Sequence, residues 1–93
     1  MVDSEISDAL LKAVGGRVQE MRVKAGLTQE AFARAAGMSA KYAWRVEHGR
    51  QNLSLRSISR IAIALDIPMS SLLEGIEADP ESLGTRPYNR QEE

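Results

Sequence analysis

Residues 28–49 read TQEAFARAAGMSAKYAWRVEHG. Thr28 and Ser39 are hydroxyl residues of the kind that accept a hydrogen bond from a backbone amide one turn on, so each is suited to start a helix. Gly37 and Gly49 are suited to end one. Glu30 falls in the first turn after Thr28, where the helix dipole favours an acid. Leu27, Ala31, Phe32 and Ala35 supply an apolar side to the first segment. The run therefore predicts two short helices joined by a tight turn at Gly37.

The second of these, about 39–48, has two distinct sides. At about 100° per residue, Ala43 and Val46 fall with Ser39 on one side, which must face a core. Lys41, Trp44, Arg45 and His48 fall opposite, with Ala40 and Tyr42 on the flanks. Glu47 points toward the inner flank, so the outer side holds no acid. Lys and Arg can donate to the acceptor-rich edge of guanine or to phosphate. Ala40 is small enough for close approach and for contact with a thymine methyl. Trp44 can pack on sugar or methyl groups. A charge-rich helix face is more often simply solvated, and a lone His is usually structural. The weight rests on the pattern, a helix-turn-helix whose second helix is shaped for a DNA groove.

Working outward, residues 4–25 space Ile6, Leu10, Ala13, Val14, Val18, Met21 and Ala25 by threes and fours, which is helical. Gly15-Gly16 weakens the middle by roughly 1 kcal/mol per Gly relative to Ala. Regular helix is therefore expected to begin only near that pair, and to end at Gly26. After a polar loop at 50–53, Ser54 caps a fourth helix over 55–65. Leu55, Ile58, Ile61, Ala62 and Leu65 lie on one face of it, and Asp66 ends it. Pro68 opens a short fifth helix, about 69–74, stopped by Gly75. From Ile76 the chain is polar and acidic and reads as a flexible tail. The division is an N-terminal extension over 1–9, a domain over 10–75 and a polar tail over 76–93. The fold class is all-α: a compact five-helix domain.

Ninety-three residues with one Trp, two Tyr and one Phe require an aliphatic core. With no Cys, neither a disulfide nor a thiolate metal site can form. The acidic N-terminus (Asp3, Glu5, Asp8) lacks the basic and apolar regions of a signal peptide. The longest strictly apolar run is residues 61–65, so nothing spans a membrane and a cytoplasmic setting is expected. Net charge is −1, but it is unevenly placed: −3 over residues 1–11, +3 over 12–38, +4 over 39–60 and −5 over 61–93. A basic centre between acidic ends is the relevant footprint for a nucleic-acid partner.

The segment from Gly16 to Leu73 resembles the phage-repressor and Cro-like (XRE) helix-turn-helix family. The matching elements are Gly26-Leu27-Thr28-Gln29, Ala33 with the Gly37-Met38-Ser39 turn, Glu47 with Gly49, and Ile61-Ala62 with Leu65. The resemblance implies a repressor-like five-helix domain that binds double-stranded DNA as a homodimer. It implies Thr28, Gln29, Ser39, Arg50 and Asn52 on the DNA backbone, and Ala40, Lys41, Trp44 and Arg45 at base-reading positions. It implies an ion pair between Arg22 and Glu47 tying the first helix to the recognition helix. Two positions depart from the pattern. Ala43 replaces a larger aliphatic residue, so Trp44 or Tyr42 must be weighed as core filler as well as surface. Leu53 stands where Pro is frequent.

Ile67, Met69, Leu72, Leu73 and Ile76 are more apolar than a chain end needs. They are read either as a dimer interface or as closure of the core. No cofactor and no metal is expected, and no catalytic motif is present. The leading function is a sequence-specific transcriptional regulator, a repressor or autoregulator, dimeric on a palindromic operator. Alternatives are an antitoxin or a restriction–modification controller with the same module, the acidic tail serving a protein partner. A protein-interaction module without DNA binding is the alternative of a different class.

Overall fold

The computed structural model describes residues 9–78 and Pro80. Five helices follow in order, with no strand among the described residues. They are α1 (Ala9–Lys24), α2 (Gln29–Ala36), α3 (Ala40–Glu47), α4 (Leu55–Leu65) and α5 (Ser70–Leu73). The all-α, five-helix reading is the observed architecture. The expected N-terminal extension, including Ile6, and most of the acidic tail lie outside the described residues.

Local chemistry sets the helix ends. Thr28 Oγ1 accepts from the Ala31 amide, Ser39 Oγ from Tyr42 and Ser54 Oγ from Ser57, each at 3.0 Å. Each cap has the extended backbone that such a bond requires. Gly37 adopts the left-handed conformation at φ 71°, and the Met38 amide donates back to the Ala33 carbonyl at 2.9 Å. That pairing closes α2 and turns the chain into α3. Asp66 ends α4 in the same conformation at φ 58°, which Asp tolerates better than most side chains.

Against expectation, α1 runs unbroken through Gly15-Gly16. Gly15 is buried, and a Cβ placed on it would stand 2.3 Å from the Val46 carbonyl oxygen. Glycine is needed there because α1 and α3 cross with their backbones in contact. Gly16 faces open space. The buried stripe of α1 is also narrower than its periodicity suggests: Val14 and Val18 are inside, while Leu10, Ala13 and Ala25 are exposed.

The core gathers Phe32, Ala33 and Ala36 from α2, Ala43 and Val46 from α3, four residues of α4, and Leu72. On α2 the inward set differs from the expected one: Ala33 and Ala36 are buried and Ala35 is exposed. On α4 the packed face begins only at Ile58. Leu55, expected on that face, is the first residue of the helix and is 76% exposed. Arg17 fastens the chain end by donating from Nη1 to the Ser71 carbonyl at 2.7 Å and from Nη2 to the Glu74 carbonyl at 2.9 Å. No buried side-chain polar atom lacks a partner among the described residues. No helix among them is long and apolar enough to cross a membrane.

Candidate nucleic-acid interface

α3 packs against α1 and α2 through Ala43, which is fully buried, and Val46. Its other side presents Ala40, Lys41, Trp44, Arg45 and His48, all exposed. Tyr42 is half-buried, packed against the core with its hydroxyl 3.2 Å from Ser57 Oγ. Trp44 lies outside the core, 43% exposed, and stacks on His48 with centroids 3.8 Å apart and planes 17° from parallel. His48 Nδ1 lies 2.8 Å from the Trp44 carbonyl oxygen. A carbonyl only accepts, so Nδ1 carries the proton and Nε2 remains for another partner. Four residues apart on one helix, the two rings lie on the same face one turn from each other, the spacing that lets them meet.

Glu47, the one acid on α3, is removed from that surface. Its side chain is fully enclosed and receives Arg22 Nε on Oε2 at 2.6 Å and Arg22 Nη2 on Oε1 at 3.1 Å. Arg22 Nη1 also donates to the Leu27 carbonyl at 2.8 Å, so one guanidinium joins α1, the following turn and α3. Gln29, expected on the DNA backbone, is drawn into this network: its Nε2 donates to Glu47 Oε1 at 3.0 Å. An amide nitrogen has two N–H groups, so one remains for an outside acceptor. No sequence spacing announced that contact.

Thr28 and Ser39 are exposed at the starts of α2 and α3, and Arg50 and Asn52 are exposed in the loop after α3. That loop also engages α3. Arg45 Nε donates to Gln51 Oε1 at 3.2 Å and Nη2 to the Arg50 carbonyl at 3.4 Å. Gln51 was not singled out by its sequence context. Beside the start of α3 an open cleft is lined by Gly37, Met38, Ser39, Tyr42, Ser57 and Arg60.

Of the residues read as a dimer interface, Met69 and Leu73 are 40% and 43% exposed. Ile67 and Ile76 are half-buried against the core. Leu72 must be reassigned: it is fully buried and belongs to the monomer's own core, because α5 lays it inward over α1.

A helix-turn-helix domain family model matches residues 13–74. The chain belongs to the helix-turn-helix domain family. Among curated relatives of this helix-turn-helix protein, the HTH-type transcriptional regulator DdrOP3 of Deinococcus deserti is 38% identical over 61 residues. That match covers 66% of this chain and 47% of the regulator, so the chain spans about half of that relative's length. Control protein C.MunI of a Mycoplasma species is 32% identical over 66 residues, 70% of this chain and 89% of that one. Among solved structures, the restriction-modification controller protein C.AhdI from Aeromonas hydrophila superimposes with a TM-score of 0.69 at 40% identity. The superposition covers 70% of this helix-turn-helix chain and 98% of the controller.

Proposed function

We propose that this chain is a transcriptional regulator that binds double-stranded DNA in a sequence-specific manner, placing α3 in the major groove. The observation that carries this reading is the composition of the α3 outer face. Lys41, Trp44, Arg45 and His48 are exposed together, while the helix's one acid is enclosed and neutralised by Arg22. With Glu47 held in the Arg22 pair, no carboxylate of α3 remains on the outer face to repel a phosphate. In this reading Ala40, Lys41, Trp44 and Arg45 read base edges. Thr28, Ser39, Arg50, Asn52 and the second N–H of Gln29 hold the backbone. Two copies join through Met69 and Leu73, which sets two recognition helices roughly 34 Å apart on a palindromic operator.

Selection of bound sequences from a random DNA pool tests the proposal. An enriched inverted repeat is the expected result; a pool that stays random would leave only a protein-interaction role. A second reading, control of a restriction–modification system, is favoured by how nearly this domain spans the full length of two controller proteins. Methylase and endonuclease genes beside this one would support it.

A further inference from the structure

We infer that Gln51 is a specificity-determining residue that acts by positioning Arg45, and that it sets Arg45 to read a guanine with the outer edge of its guanidinium. The inference rests on the DNA-binding reading above. A guanidinium offers two forked edges, one formed by Nε and Nη2 and one by Nη1 and Nη2. In this protein the first edge is occupied from within the chain. Nε donates to Gln51 Oε1 at 3.2 Å, and Nη2 donates to the Arg50 carbonyl at 3.4 Å. Gln51 is itself oriented, because its Nε2 donates to the Asn52 carbonyl at 3.4 Å and its oxygen is thereby turned toward Arg45. It is half-buried, whereas Arg45 is exposed.

The consequence is a chain of contacts from the Asn52 carbonyl through the Gln51 amide to Arg45. One N–H of Nη1 and one of Nη2 remain side by side on the edge away from the loop, while the second N–H of Nη1 points back toward Cδ. That edge matches the O6 and N7 acceptors of guanine in the major groove. A long side chain held before binding loses less rotamer freedom on contact, so the restraint favours the one base that fits the presented fork. A phosphate, approachable from many directions, gains less from it. Gln51 therefore acts on discrimination at one base position more than on affinity for DNA as such.

The test compares wild type, Gln51→Met, Arg45→Ala and the double variant, each full-length, by random-pool selection and by competition binding against the selected site with single-base changes. Met keeps the length of Gln and removes the acceptor. One guanine position that wild type prefers is expected to lose that preference in Arg45→Ala. Gln51→Met should lower discrimination at that same position by about threefold to tenfold, the range of an ordinary hydrogen bond, because the exposed pair positions Arg45 without itself touching the base. It should leave binding to unselected DNA within about twofold, since phosphate contacts supply that affinity. In the Arg45→Ala background it should add nothing at that position. Three results overturn the inference while leaving DNA binding standing: unchanged discrimination in Gln51→Met, a loss at a different position, or an equal loss in the Arg45→Ala background. Wild-type protein that selects no sequence overturns the DNA-binding reading itself, and the inference with it.

Discussion

With its carboxylate enclosed, Glu47 relies for its charge on the two Arg22 bonds and the Gln29 amide. Removing either ionic partner leaves the other largely out of water with its charge unpaired, because the Leu27 carbonyl and the Gln29 amide that remain are neutral. Glu47→Ala should therefore lower stability by about 3–5 kcal/mol in chemical denaturation; a loss below about 1 kcal/mol would show that Arg22 finds water instead. Arg45 is the opposite case, an exposed residue whose loss should hardly touch folding. Arg45→Ala should lower affinity for the selected operator by about 1–3 kcal/mol, with a smaller effect on random DNA. Equal losses on both would move Arg45 to the backbone-contact class. The pairing of Glu47 with Arg22 was legible through family resemblance alone. Gln29's part in it depends on α2 and α3 meeting end to end, which no local pattern encodes.

At the scale of the helix, α1 gives the sharpest contrast between propensity and packing. Gly15 and Gly16 are adjacent, equally helix-weakening, and indistinguishable in the sequence. Gly16→Ala places a methyl in open space and should raise stability by up to about 1 kcal/mol, the usual helical advantage of Ala over Gly. Gly15→Ala places it 2.3 Å from the Val46 carbonyl oxygen and should lower the melting temperature despite the same local advantage. Parallel thermal melts decide the matter, and a rise in both variants would mean that α1 and α3 can separate at little cost. The expectation of a helix starting near this pair erred for the same reason. Intrinsic propensity is a small term, and the surface buried where α1 crosses α3 outweighs it. Leu55 shows the complementary error: its phase on the wheel is correct, but as the first residue of α4 its side chain is left 76% exposed.

For the whole molecule, the distribution of charge and the exposed residues of α5 carry the predictions. A basic centre that contacts phosphates releases counterions, so log Kd should vary linearly with log salt concentration. Arg50→Ala should reduce that slope by about 1 per protomer. A salt-independent affinity would count against phosphate contact altogether. Leu73 is 43% exposed and outside the core, so Leu73→Asp should leave the helical spectrum intact. It should also shift sedimentation equilibrium from dimer to monomer; an unchanged mass would place the dimer contact elsewhere. The folded unit extends at least to Ile76, which packs on the core.

The sequence by itself determined the number and order of helices, their caps at Thr28, Ser39 and Ser54, and which side of α3 faces out. These depend on hydroxyls, glycines and apolar spacing within a turn or two, which act whatever distant element lies nearby. Only the tertiary structure decided that Gly15 is a crossing point, that Gln29 serves Glu47 and that Leu72 belongs to the core. Arg22 and Glu47 are 25 residues apart, and Arg17 and Ser71 are 54. Contacts at that separation follow from how the helices pack. The assignment of Gln51 to Arg45 spans only six residues. It too waited on the structure, because the loop that carries Gln51 has no periodicity from which its direction can be read.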